Sequence, residues 1–348
     1  YHMPILTLLK KHALGRLVFT FALLALVFAP LAAVVRGESV SLADSAFSED
    51  IAVLEEMPAV LPFAGNAKIV PESKSLIYEN EEALPTDAPE PALLATSIGG
   101  MNKPQSVAIA GTKAYVAAEH KVVSVDIATN AVLAEIPVDA GLYLGVAGGK
   151  LYAPHNDKVY VIDIATDTHI ATIDVPGGAM TVTVNGTKAY VTCSTANTVA
   201  VIDTESDAVL SLIPVGVKPF YGSTLGTNVY ISNNSKDEGS VSVIDTLTDQ
   251  VVTTIPLGME PVLQAFVGTK LYVSNKLNNT VSVIDTVSNE LIATIEVGSD
   301  PEMLLVIGNR LYVVNRSSNS VSLINPATDT VVKTIPDGAG PYYLAASG

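Results

Sequence analysis

The sequence predicts an all-β fold: a seven-bladed β-propeller of four-stranded blades, its ring closed by strands shared between the two ends of the chain, preceded by an N-terminal hydrophobic helix. Three observations carry this reading. Six copies of one unit of about forty residues run from Lys113 to Thr334. Their tyrosines, Tyr115, Tyr152, Tyr190, Tyr230, Tyr272 and Tyr312, are spaced by 37, 38, 40, 42 and 40 residues, so insertions are confined to loops. Inside each unit the apolar residues alternate with period two and are rich in Val, Ile, Thr and Tyr, which excludes helical repeats and leaves a propeller blade or a β-solenoid.

In chain order, residues 1–36 form the first segment. Lys10, Lys11 and Arg16 precede nineteen uncharged residues, Leu17 to Val35, and Arg36 ends the run. That length suits a membrane-crossing helix with a cytoplasmic N-terminus. Leu17 to Phe28 also reads as the apolar region of a signal peptide, with Pro30-Leu31-Ala32-Ala33 as a cleavage site. Either reading exports the propeller. Residues 37–65 are an acidic spacer in which Ser48 to Met57 suits a short helix. Residues 66–348 are the propeller. Its first stretch, Ala67 to Ile98, is interrupted by Pro71, Pro85, Pro89 and Pro91, and the part from Glu79 to Pro91 reads as a surface loop.

Each unit contains four extended runs. In the fifth they are Val262 to Val267, Lys270 to Asn275, Thr280 to Asp285, and Glu290 to Val297. Gly268-Thr269 joins the first two, and Asn185-Gly186 occupies that slot in the third unit, a dipeptide suited to a tight hairpin. Between the third and fourth runs an Asx-x-x-x-Asx pattern recurs as Asp126…Asn130, Asp163…Asp167, Asp203…Asp207, Asp245…Asp249, Asp285…Asn289 and Asn325…Asp329. Such side chains bond their own downstream backbone, so these acids read as turn-formers rather than catalysts. Seven slots open the innermost runs: Pro104, Gly141, Ala179, Pro219, Pro261, Pro301 and Pro341. Leu93 to Ile98 supplies a seventh outer run, so Tyr342 to Ser347 is expected to complete a blade begun near Ala67 and to remove open sheet edges.

Tyr190-Val191-Thr192-Cys193, Tyr230-Ile231-Ser232-Asn233, Tyr272-Val273-Ser274-Asn275 and the runs Ser242 to Thr246 and Ser282 to Thr286 resemble the YVTN repeat of β-propeller proteins. The resemblance covers residues 92–348. That family includes archaeal surface-layer proteins and bacterial secreted or cell-surface proteins, so the resemblance implies an exported propeller. A fold alone carries no function.

Composition narrows the function. The net charge is −16, and because the first 36 residues hold four basic residues and no acid, the remainder stands at −20. So acidic a surface repels phosphate backbones and anionic headgroups, which argues against nucleic-acid binding. The single cysteine, Cys193, excludes an internal disulfide and reads as a buried thiol. His155 occupies the same slot one unit earlier, but two ligands do not make a metal site; His120 and His169 lie elsewhere in their units. No haem-attachment motif, phosphate loop or nucleophile elbow occurs, so no catalytic residue, metal or cofactor is expected. The start of the inner runs brings Tyr143, Phe220, Tyr221, Glu302, Tyr342 and Tyr343 to one mouth of the channel, an aromatic rim with one carboxylate that suits a sugar or peptide but reads first as packing between closely spaced inner strands. Asn185, Asn233, Asn278 and Asn315 head Asn-x-Ser/Thr sequons and are candidate glycosylation sites. The expected function is a non-enzymatic cell-surface scaffold for protein partners or self-assembly, surface-layer-like or a filament subunit, touching membrane through residues 17–35 if these are uncleaved. The alternatives are a periplasmic or secreted lyase- or lactonase-like propeller, or a small-ligand-binding module.

Overall fold

The structure, a computed structural model, describes residues 104–336 and Pro341 of the 348-residue chain. The repeats fold as antiparallel meanders. The first comprises β1 (Ser106–Ala110), β2 (Lys113–Ala118), β3 (Lys121–Asp126) and β4 (Val132–Ile136). The second and third are carried by β5 (Gly145–Ala147), β6 (Lys150–Asp163), β7 (Thr168–Asn185), β8 (Lys188–Cys193), β9 (Thr198–Asp203) and β10 (Val209–Pro214). The fourth contains β11 (Pro219–Leu225), β12 (Asn228–Asn233), β13 (Ser240–Asp245) and β14 (Gln250–Pro256). The fifth contains β15 (Pro261–Val267), β16 (Lys270–Asn275), β17 (Thr280–Asp285) and β18 (Glu290–Glu296), and the sixth β19 (Pro301–Ile307), β20 (Arg310–Asn315), β21 (Ser320–Asn325) and β22 (Thr330–Pro336).

Counted as hydrogen-bonded sheets, these strands make five blades among the described residues, four of four strands and one of six, and not the expected seven. Two causes account for the difference. The second and third repeats share one ladder, because β7 runs unbroken from the outer edge of one repeat to the inner edge of the next, and Asn156 of β6 pairs with Ala179 of β7. In the next three crossovers a positive-φ residue, Lys218, Glu260 or Asp300, is matched in β7 by Gly178, but it is followed by a proline, Pro219, Pro261 or Pro301, which has no N–H to donate to the preceding repeat as Ala179 can. The expected closing blade, with Leu93 to Ile98 and Tyr342 to Ser347, lies outside the described residues, as do residues 1–36 and 37–65.

Inner strands of successive repeats touch in order, as do the outer strands β10, β14, β18 and β22. The core lies between the faces of neighbouring repeats, where the middle strands are buried on both sides; β9, β13 and β17 each bury their central residues. Burying a side chain of this size contributes about 1.5–3 kcal/mol.

The four-residue motif of the second strand explains how repeats are joined. The tyrosine hydroxyl crosses to the next repeat: Tyr152 bonds Asp207 at 2.8 Å, Tyr190 bonds Asp249 at 2.8 Å and Tyr272 bonds Asp329 at 2.6 Å. Tyr115 bonds Asp167 in the same way. The lysine two residues earlier grips the same carboxylate, in Lys113–Asp167, Lys150–Asp207, Lys188–Asp249 and Lys270–Asp329, at 2.7–2.8 Å. The aliphatic second position, Val191, Ile231, Val273 or Val313, is fully buried. The hydroxyl at the third crosses at the inner end, where Thr192 donates to the Phe220 carbonyl and Ser274 to the Glu302 carbonyl. The asparagine stays within its own repeat and donates to two hydroxyls of the third strand, Asn275 to Thr280 and Ser282 for example.

The turn pattern therefore divides its labour. The first Asx caps its own turn: Asp163 accepts from the Thr166 amide at 2.7 Å and Asp285 from the amides of Val287 and Ser288. The second takes the left-handed conformation, φ 53–58° in all six, and at Asp167, Asp207, Asp249 and Asp329 it receives the preceding repeat's lysine and tyrosine. The hairpin turn of the third repeat is Gly186-Thr187 rather than Asn185-Gly186, since Asn185 pairs with Lys188 and Gly186 alone has positive φ.

Candidate functional site

The described candidate residues stand at or just before the starts of inner strands. Tyr143 enters from the segment before β5, Phe220 and Tyr221 from the start of β11, and Glu302 from the start of β19. Tyr342 and Tyr343 lie outside the described residues. Tyr143 meets Tyr221 edge to face at 5.2 Å between centroids and Phe220 at 6.1 Å. All three belong to, or pack on, one apolar cluster with Leu263 and Met303, from the fifth and sixth repeats. The aromatic rings thus fill space between inner strands. Burial pushes the Tyr221 phenol up to about 12, although the residue as a whole stays partly accessible.

Glu302 is buried, and its carboxylate is compensated by side chains that sequence reasoning overlooked. Lys276 Nζ lies 2.6 Å from Glu302 Oε1 and 3.4 Å from Asp300 Oδ1, and Arg316 Nη1 lies 3.4 Å from Glu302 Oε1. Burial lowers the Lys276 pKa, but the hydrogen bond and charge of Glu302, with the charge of Asp300, more than offset it and leave the ammonium above its ordinary value. Backbone bonds fix this network: the Lys276 amide donates to the Glu260 carbonyl and the Arg316 amide to the Asp300 carbonyl, each at 3.0 Å. The available signal was positional. Lys276 and Arg316 each follow the motif asparagine, while Glu260 and Asp300 each precede the inner-strand proline. The result is a neutralised carboxylate beside a half-exposed guanidinium, an arrangement able to bind an anionic or polar group but lacking a free general base.

The remaining candidates are dispersed. Cys193 is fully buried, its thiol contacts the Val191 carbonyl at 3.6 Å, and burial pushes its pKa up to about 11. Among the described residues no group of three His, Cys, Asp or Glu side chains is placed to hold a metal ion. His120 pairs with Asp139 at 2.8 Å in an exposed position, and His169 bonds the Ala171 carbonyl and packs on Tyr160. Of the sequon residues, Asn233 and Asn315 are completely buried with their amides committed to hydroxyls, which closes them to a glycan in the folded state. Asn185 donates to the Gly226 carbonyl, and the exposed Asn278 accepts from the Met259 amide.

This architecture defines the class: the chain is a β-propeller. Solved structures agree at the level of fold. Hydrazine synthase of Kuenenia stuttgartiensis is 20% identical, with a TM-score of 0.56 over 66% of this chain and 85% of that one. The computationally designed Ika8 protein is 13% identical, with a TM-score of 0.61 over 68% and 76%. AztD of Citrobacter koseri is 11% identical, with a TM-score of 0.53 over 69% and 73%. No family model matches the chain, and no curated protein matches it in sequence.

Proposed function

We propose that this protein is an exported, non-enzymatic propeller of the YVTN-repeat type that acts at the cell surface as a scaffold for protein contact or self-assembly. The observation that carries the reading is the state of the channel mouth. Its described aromatic residues, Tyr143, Phe220 and Tyr221, are spent on packing, and its carboxylate, Glu302, is paired with Lys276 at 2.6 Å, so these positions serve cohesion. The repeat motif points the same way, because its tyrosine and hydroxyl positions are committed to neighbouring repeats. Export rests on the cationic, then uncharged, pattern of residues 1–36. The resemblance of the repeats to YVTN propellers agrees with it. The likeness to hydrazine synthase extends to the fold and brings no catalytic group with it.

The test is to produce the full chain in cells and treat intact cells with protease, alongside sedimentation of the native protein. The expected outcome is digestion of the propeller on unbroken cells and association of the purified protein at high concentration. A chain protected until lysis, and monomeric at every concentration, would overturn the reading.

A further inference from the structure

Along the rim one slot repeats in all six units. Leu133, Ile170, Leu210, Val252, Ile292 and Val332 stand three residues before the last isoleucine of each outer run, and each is between 47% and 58% exposed. Each is also the extra residue of a β-bulge. Val209 and Ser211 pair with Ile202 and Val201, leaving Leu210 over; Val251 and Thr253 pair with Ile244 and Val243, leaving Val252; Leu291 and Ala293 leave Ile292. The other three repeats show the same shift. A bulge bends the strand and re-aims the side chain, and it also interrupts the ladder that a new edge strand would extend. The edge is therefore poor at adding a strand while presenting an aliphatic side chain outward six times.

We propose that this rim is the surface through which copies of this chain pack side by side, by side-chain contact rather than strand addition. The proposal rests on the assembly reading above and names its contact. A second copy is the occupant that charge favours. Two chains of net charge −16 repel over most of their surface, yet β10 and β14 carry no charged residue, so the rim of the third and fourth repeats is where like can meet like. Leu247, 78% exposed in the turn before β14, and Leu212, 50% exposed in β10, add apolar side chains on the same two repeats. Together these side chains expose roughly a few hundred Å² of apolar surface, the size at which a patch marks a contact. A stable pair needs about 800 Å² per partner, so one rim contact is weak and assembly depends on several neighbours at once.

The experiment is sedimentation velocity on the full native chain across a concentration and salt series, with the triple variant Leu210→Ser, Val252→Ser, Ile292→Ser and the near-isosteric Val252→Thr. The expected result is association that strengthens with salt, weakens at least about tenfold in the triple variant and by less in Val252→Thr, with melting temperatures close to wild type. Undiminished association in folded variants overturns the rim contact while leaving assembly standing; absence of association in wild type overturns both. Val252→Cys supplies a direct readout, since Cys193 is buried. An interchain disulfide at high concentration supports the proposal, whereas a Val252→Cys thiol unreactive in dilute monomer means that the chain's own residues cover the rim, and the proposal falls.

Discussion

Each repeat spends its ionisable side chains in two ways, and the two respond differently to mutation. The tyrosine hydroxyls that reach the next repeat have pKa values pushed well above the ordinary phenol, by burial first and then by the hydrogen bond to the receiving aspartate. They remain neutral donors throughout the useful pH range. Tyr272→Phe is expected to cost about 1 kcal/mol, the net worth of one such bond, seen as a small drop in urea midpoint with an unchanged slope. The turn-capping aspartates Asp126, Asp163, Asp203 and Asp285 are partly accessible, and hydrogen bonds from their own turns hold their carboxyls below the ordinary 3.8. A lowered folded value means that their contribution is complete above about pH 4 and is lost as pH falls through the folded value. Asn325 fills this slot in the sixth repeat and accepts from the Ala327 amide at 3.1 Å, so an amide serves the geometry. Asp285→Asn should therefore fold normally and show a smaller fall in melting temperature between pH 5 and pH 3. An unaltered pH profile would show that the turn carboxylate plays no part in acid stability.

At the scale of strands and seams, the sequence made the four runs of each repeat legible because turn chemistry brackets them. In the fifth repeat the expected and observed strands differ by a residue at the ends. What stayed hidden was partnership across repeats. The second Asx of each turn was readable as a turn residue, but its engagement by a lysine and a tyrosine some fifty to sixty positions earlier has no local signature. Internal covariation betrays it in hindsight: the one described seam whose second strand begins with Asn228 instead of Lys receives Asn289 instead of Asp, and Tyr230 reaches that amide at 3.2 Å. Restoring the pair as Asn228→Lys with Asn289→Asp should raise stability beyond the sum of the single changes, by about 1 kcal/mol in a double-mutant cycle. Strict additivity would deny the lysine any role in the seam. The crossover glycines are the counterpart. A Cβ on Gly258 would lie 2.9 Å from Asn275 Cβ and 2.8 Å from Asn278 Oδ1, so Gly258→Ala should cost about 1–3 kcal/mol by overpacking, measurable as lost melting temperature.

For the whole molecule, the inner-run slots do not each open a separate sheet, which is why five blades form among the described residues and not the expected seven. Strand β7 carries the ladder through the crossover from Val175 to Ala179, past the positive-φ Gly178, and so merges two repeats into one sheet. Tyr143, Phe220, Tyr221 and Glu302 were legible as residues at the starts of inner runs, but the cations that neutralise Glu302 come from a loop slot with no fixed residue type. The proposed export and assembly bring residues 17–35 into the account. Nineteen uncharged residues left in water are an aggregation hazard, so a mature chain that keeps them must bury them in a bilayer or against their counterparts. The expected outcome is that native protein has an intact mass that includes this segment. Such a chain carries two cohesive devices, and removing the rim side chains should then release propellers from one another while leaving each in the detergent-requiring fraction. A native mass corresponding to a chain that begins near Val34 would remove the anchor. Assembly would then rest on the rim alone, and the Leu210, Val252 and Ile292 triple variant should convert the whole population to freely soluble monomer.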